Sequence, residues 1–170
     1  MESTIVRWLD QSGAPYHLAE HPPVHTIEEA LAAAPRMPGL MTKNIFARDG
    51  GGKRHFLIIV PFNKRIDLAE LARALPSTKL GMASPGRLMK HLGVVPGSVS
   101  ILALINDSDG VVEAVIDKAV WDAPAVQAHP LRNTATVSMT HETLKRFLEY
   151  TGHLPHILEV PGQLTFQLNL

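Results

Sequence analysis

The sequence predicts an α+β fold: one domain built on a mixed, mostly antiparallel sheet with short helices around it. Three observations lead there. Strand-like runs come in pairs across turn signals, at Asp49-Gly50-Gly51-Gly52 and at Asn106-Asp107-Ser108-Asp109-Gly110. Helical stretches are short and individually capped, and they lack the regular β-α-β alternation of a doubly wound parallel sheet. Finally, 170 residues of which 45% are hydrophobic suffice for one closed core.

In chain order, Ser3 or Thr4 caps a first helix that carries Ile5, Val6, Trp8 and Leu9 and stops at Gly13, and Tyr16-His17-Leu18 follows as a short edge strand. After the loop His21-Pro22-Pro23-Val24-His25, Thr26 and Glu29 form the T-x-x-E capping box of a helix through about Ala33, ended by Pro35, Pro38 and Gly39. Strands from Thr42 to Arg48 and from His55 to Pro61 flank the glycine turn, whose positive-φ residues suit a tight hairpin. Asp67 with Glu70 caps a helix over Leu68 to Leu75, and Ser84-Pro85 opens another that runs through Leu92 to Gly93. Ser100 to Ile105 and Val111 to Ile116 read as a second hairpin, and Thr134 to Val137 as a further strand. A last helix over His141 to Tyr150 presents Leu144, Phe147 and Leu148 on one face and is capped by Gly152. The domain is expected to span 1–170, with 161–170 a C-terminal tail or a last edge strand.

Composition excludes several functions. Lys plus Arg and Asp plus Glu are balanced at 16 each, so a nucleic acid would be held locally, at an end or a hairpin tip, rather than along a long duplex. The chain has no cysteine, which removes disulfides, thiolate zinc sites and cysteine nucleophiles together. Its nine histidines include no H-E-x-x-H, and His21 with His25 or His153 with His156 have no carboxylate in place to complete a zinc site. There is no G-x-S-x-G elbow, P-loop or G-x-G-x-x-G, because a strand follows Gly50 to Gly52. No basic leader and no apolar run of about 18 residues is present, and the expected location is the cytoplasm.

Three constellations could carry chemistry. Lys43 lies in an otherwise apolar strand, where an ammonium must snorkel, pair with a carboxylate, or face a cleft that takes an anion. Strand alternation sets Lys43 with Ile45 and Ala47, and Asn44 with Phe46 on the opposite face. In Gly81-Met82-Ala83-Ser84-Pro85 a glycine leads into a capped helix start, whose free N–H groups suit a phosphate, a carbonyl oxygen or a carboxylate. In His129-Pro130-Leu131-Arg132-Asn133-Thr134 a histidine, an amide and a hydroxyl gather at a rigid turn, with the histidine able to donate, accept or shuttle a proton.

Taken in order with His21-Pro22-Pro23-Val24-His25-Thr26, Leu92-Gly93-Val94-Val95-Pro96-Gly97, Ala103-Leu104-Ile105-Asn106-Asp107 and Thr151-Gly152-His153, these segments resemble the YbaK/ProX family of aminoacyl-tRNA deacylases over roughly residues 5 to 160. The similarity is greatest to free-standing editing proteins of the prolyl-tRNA synthetase editing-domain type. The resemblance implies the α+β editing fold, and hydrolysis of the ester of mischarged tRNA, typically alanine on proline tRNA. It implies an essential lysine at Lys43, and a G-x-x-x-P loop at Gly81 to Pro85 that shapes the substrate site. Asn44 and His129 match polar pocket positions. Thr26, Gly81, Met82, Ser84, Pro85, Asn133 and Thr134 are then expected to line the substrate. The implied partners are the acceptor end of a mischarged tRNA and, transiently, prolyl-tRNA synthetase, with no cofactor, metal or membrane. Cysteine on proline tRNA, or another small amino acid, is the alternative substrate, and a non-catalytic aminoacyl-tRNA or synthetase binder the alternative class.

Overall fold

A computed structural model describes residues 3–24, 27–33 and 36–165. Helix α1 (Thr4–Ser12) is capped by Ser3, whose hydroxyl accepts from the Val6 N–H, and ends at Gly13 with φ 68°. Strand β1 (Tyr16–Glu20) and helix α2 (Ile27–Ala33) follow; the expected Thr26 cap lies outside the described residues. Strands β2 (Leu40–Arg48) and β3 (His55–Pro61) form the predicted hairpin in the register Lys43↔Val60 and Asn44↔Ile59. Next come β4 (Lys64–Ile66), α3 (Leu68–Ala74, capped by Asp67), β5 (Gly81–Met82) and α4 (Pro85–Leu92, capped by Ser84). After a 3-10 helix (Ile101–Asn106), the chain continues through β6 (Val112–Asp117), α5 (Lys118–Trp121), β7 (Ala125–Ala128), β8 (Ala135–Thr140), α6 (His141–Thr151), β9 (His156–Leu158) and β10 (Gly162–Leu164).

The main sheet has eight strands in the order β1-β8-β7-β2-β3-β6-β9, with β5 added beside β2; β10 and β4 pair separately. In the main sheet β1–β8, β7–β8, β2–β3 and β2–β5 are antiparallel, as is the separate β10–β4 pair, whereas β2–β7, β3–β6 and β6–β9 are parallel. The second hairpin is a correction. Ile101 to Leu104 are all fully buried, so the run has no polar side to reveal its period, and periodicity cannot separate a buried strand from a buried helical turn. Ser100 decides locally, its hydroxyl accepting from the Leu102 N–H to start the 3-10 turns. Strand β6 then pairs in parallel with β3 and β9.

Alternation divides the sheet into two faces. One carries Phe46, Leu57, Ile59, Ala114, Ile116, Val126, Ala128, Val137 and Met139 into the larger core, which α1, α4, the 3-10 helix and α6 cover with Ile5, Leu9, Leu88, Leu92, Leu102, Leu144 and Phe147. The other carries Ala47, Phe56, Ile58, Val60 and Val115 into a smaller core under Leu71, Ala72 and Leu75 of α3. Across β7 and β8 this second face turns polar: Gln127 pairs with Ser138. Gln127 Nε2 donates to the carbonyls of Met37 and Gly39, both at 3.1 Å, and Ser138 Oγ donates to that of Pro38. These bonds fix the strap that enters β2. Gly39 is needed there, since at φ +113° a Cβ would lie 3.0 Å from the Val126 backbone.

Candidate active site

Strand β2 has different neighbours at its two ends on the side away from β3. At the start it pairs with β7 (Leu40↔Val126, Met41↔Gln127), and at the end with β5 (Ala47↔Met82, Arg48↔Gly81). A bond from the Ala83 N–H to the Phe46 carbonyl extends the second contact by one step, and one from Thr42 Oγ1 to the Gln127 carbonyl, at 2.6 Å, extends the first. Between them, among the described residues, Lys43, Asn44 and Ile45 have no strand beside them on this edge. The two polar residues that the sequence singles out in β2 therefore sit where its ladder is open.

The alternation carried on from Met41↔Gln127 and from Ala128↔Val137 puts His129 on the same face as Lys43 and Thr136. Lys43, His129 and Thr136 thus share the polar face, with Met82 on the same side across Ala47. Asn44 projects to the opposite face with Phe46. Its Oδ1 is buried without a hydrogen-bond partner among the described residues, which marks a polar atom that a ligand reaching over the open edge can satisfy.

Lys43 is half-buried, and burial alone lowers its ammonium below the usual lysine value. Among the described residues no carboxylate pairs with it, so an anion arriving here would meet a desolvated, uncompensated cation. The Nδ1–H of His129 donates to the Ala135 carbonyl at 2.9 Å, which leaves Nε2 of the neutral ring as a free acceptor. Burial, followed in the same direction by neighbouring His21, lowers its pKa against the opposing effect of the Ala135 bond, so the ring is neutral at pH 7.

The remaining expected residues separate. Ser84 Oγ is engaged as the α4 cap, accepting from the Arg87 N–H at 3.2 Å, and Pro85 is the first helical residue. Gly81 has open space where a Cβ would stand, and Met82 is 60% exposed. Asn133 is half-buried in the turn after His129. The Thr134 hydroxyl accepts from Arg132 at 2.8 Å and its carbonyl from the His21 N–H at 2.9 Å, so Thr134 is committed to holding the turn. Thr26 lies outside the described residues. Gly81 to Pro85 and His129 to Thr134 approach the open stretch of β2 from its two ends.

Two features escaped the reading of the sequence. His21, quoted only within a motif, accepts from Thr136 Oγ1 at 2.9 Å and lies with its ring centre 6.4 Å from that of His129; the alternation of Thr136 and Ser138 with Val137 and Met139 was the available signal. Charge is also segregated. Residues 43–90 hold ten of the sixteen Lys and Arg but three of the sixteen Asp and Glu, so this segment is +7 and the rest −7. The fold gathers part of it at the β2–β3 turn, where Thr78 Oγ1 accepts from the Gly50 N–H and Arg87 donates to the Gly52 carbonyl. Lys53, Lys79 and Lys90 are exposed around these contacts.

An unpaired cation, a neutral imidazole and an unsatisfied amide oxygen at a gap in the sheet, next to a basic end, are the equipment of a protein that orients an anionic, polar substrate. The chain matches the family model of the aminoacyl-tRNA editing domain over residues 21–147, and it belongs to that family of hydrolases that deacylate tRNA. Among curated relatives, the prolyl-tRNA editing protein ProX of Acetoanaerobium sticklandii is 35% identical over 159 residues, covering 94% of this chain and 97% of its own. Prolyl-tRNA synthetase associated domain-containing protein 1 of Danio rerio is 38% identical over 141 residues, covering 82% and 76%. A solved structure described as that of a candidate trans-editing enzyme for prolyl-tRNA synthetase superposes with a TM-score of 0.67 at 22% identity, over 94% of this chain and 98% of the other; it shares the fold.

Proposed function

We propose that this protein is a trans-editing deacylase whose substrate is alanine mischarged onto proline tRNA. The observation that carries the reading is the half-buried Lys43 ammonium, without a described carboxylate partner, on the same sheet face as neutral His129 and at the open stretch of β2. An aminoacyl ester is already activated, so its hydrolysis needs a positioned water and charge stabilisation more than a protein nucleophile. Water adds to the ester carbonyl carbon, the bond to the ribose oxygen breaks, and the products are free alanine and a tRNA with its terminal hydroxyl restored.

In this reading Lys43 holds the terminal phosphate or the developing oxyanion. His129 Nε2 and Asn44 orient the aminoacyl group, the ribose or the water, and helix-start N–H groups near Ser84 and Pro85 face the carbonyl. Gly81 and Met82 line the aminoacyl end from one side, and Thr26, Asn133 and Thr134 belong to the other wall. The basic end around Lys53, Lys79 and Lys90 suits the phosphates next to the acceptor terminus, which reconciles zero net charge with a nucleic-acid substrate. A proline pocket cannot strongly reject alanine, since each missing methylene is worth only about 1 to 3 kcal/mol, and a second small sieve corrects the error. A transient contact with prolyl-tRNA synthetase would capture the product as it leaves.

The test is a deacylation panel with proline tRNA carrying alanine, cysteine, serine or proline. The expected outcome is fastest loss of alanine and none of proline. Preference for cysteine would reassign the sieve, and protection of every ester would make the protein a binder.

A further inference from the structure

The loop from His129 to Thr134 is not held by its own residues alone. Leu131 sits at φ 65°, a left-handed conformation that costs a side-chain-bearing residue roughly 1 to 2 kcal/mol. Something outside the loop must therefore maintain it, and the contacts come from the end of β1. The Glu20 carboxylate pairs with Arg132 at 2.9 Å, and Arg132 in turn donates to Thr134 Oγ1. The His21 N–H donates to the Thr134 carbonyl, and the His21 ring meets Thr136 Oγ1.

The ring contact has a defined direction. His21 Nδ1 faces the Pro22 carbonyl at 2.9 Å, and a carbonyl only accepts, so Nδ1 carries the proton. Nε2 of the neutral ring must then accept from the Thr136 hydroxyl. Thr136 directly follows Ala135, whose carbonyl holds the Nδ1–H of His129. Both imidazoles are thus fixed as Nδ1–H tautomers along one strand segment. The two ends differ: His21 has both ring nitrogens engaged, and His129 has one left over.

We propose that His21 is a positioning residue for His129. Its ring, through Thr136, and its backbone N–H, through Thr134, hold the strained loop so that His129 presents Nε2, unprotonated, on the Lys43 side of the sheet. This rests on the reading of His129 as a site residue. It adds that removing His21, which reaches the reacting atoms only through Thr136 and the loop, disables His129 without touching substrate.

The experiment has two arms. Nitrogen NMR of the His129 ring is recorded in the free wild-type protein, His21→Ala, His21→Gln and Thr136→Val. Single-turnover deacylation of alanyl-tRNA(Pro) is measured for the same four. The wild-type ring should be one Nδ1–H tautomer. His21→Ala and Thr136→Val should both give a tautomer mixture, a rate constant lower by roughly tenfold and an unchanged half-saturating concentration. His21→Gln, whose side-chain oxygen can accept from Thr136, should restore the tautomer and most of the rate. If the His129 ring keeps its single tautomer in His21→Ala, or if His21→Gln is as impaired as His21→Ala, the proposal is wrong. The spectroscopic arm needs no substrate, so a wild-type protein that fails to deacylate would overturn the functional reading while the tautomer result still judged the positioning role.

Discussion

Two histidines in this protein sit in similar chains of hydrogen bonds and have opposite characters. His153 is 5% exposed; its Nδ1 meets Thr151 Oγ1 at 2.9 Å and its Nε2 meets Asp107 Oδ2 at 2.8 Å. The order Thr-His-Asp imitates a catalytic relay. Yet every member is occupied: Asp107 also accepts from the Val111 and Val112 N–H groups, and the Thr151 hydroxyl donates to the Leu148 carbonyl. The cluster fastens the end of α6 to the turn before β6. His129 has one tethered nitrogen and one with no partner among the described residues, and it shares its sheet face with the uncompensated Lys43. A saturated chain holds the fold together, whereas an unsaturated one is available to a substrate.

The sharpest way to break this comparison is to remove each ring. His129→Ala should lower the deacylation rate about a hundredfold and stability by only about 1 kcal/mol. His153→Ala should leave the rate per folded molecule unchanged and lower stability by about 3 kcal/mol, because it strands a buried carboxylate. Single-turnover rates beside urea unfolding read both; equal effects in both assays would erase the distinction.

Lys43 supplies a second contrast, between stability and activity. An ammonium that burial holds below its usual pKa destabilises the folded state at neutral pH, so Lys43→Met should raise stability by about 1 kcal/mol while lowering turnover by about 100-fold or more. Smaller is the effect of Ser84→Ala, which removes the α4 cap and should cost about 1 kcal/mol with little change in rate, since the Ser84 hydroxyl is spent on the Arg87 N–H.

The pH dependence has a defined sign. Burial lowers the pKa of His129, and burial is also the largest cause for His55 and His91, whose rings lie 4.2 Å apart. Above about pH 6.5 these groups are neutral in both folded and unfolded chains. As pH falls from there toward their lower folded values, the unfolded chain takes up protons that the folded one resists, and stability declines. The carboxyls of Glu113, held down chiefly by Arg54, and Asp49, held down chiefly by the Arg54 N–H, add a further loss only at more acid pH, below the ordinary carboxylate range. Thermal melts between pH 7 and pH 3 should show the histidine phase first; a flat profile down to pH 5 would contradict it.

Legibility in the sequence followed local signalling. The helices at Thr4, Leu68, Pro85 and His141 announced themselves through Ser3, Asp67, Ser84, the glycine stops Gly13, Gly93 and Gly152, and a periodic apolar face. The β2–β3 hairpin was legible from its glycines. The segment Ile101–Asn106 was not, because a run buried on all sides has no period to read. Strands β4, β5, β7 and β9 have two to four residues each, too few for alternation to register, whereas β10 falls within the stretch read as a tail or a last edge strand. That loss mattered, since β7 carries the chain to His129 and β5 leads into Ser84. Lys43 and Asn44 were visible as polar groups in an apolar strand, on opposite faces by alternation, and His129 as part of a polar turn, but only the register reveals that Lys43 and His129 share a face. The segregation of charge was hidden by its own balance over the whole chain.

The central claim is that Lys43 is uncompensated because a tRNA terminus supplies its partner. Single-turnover hydrolysis of alanyl-tRNA(Pro) by wild type and Lys43→Ala, with folding verified by circular dichroism, tests it most directly. The account predicts that the variant loses about 100- to 1,000-fold in rate while remaining folded. A folded Lys43→Ala protein that deacylates at the wild-type rate would contradict it.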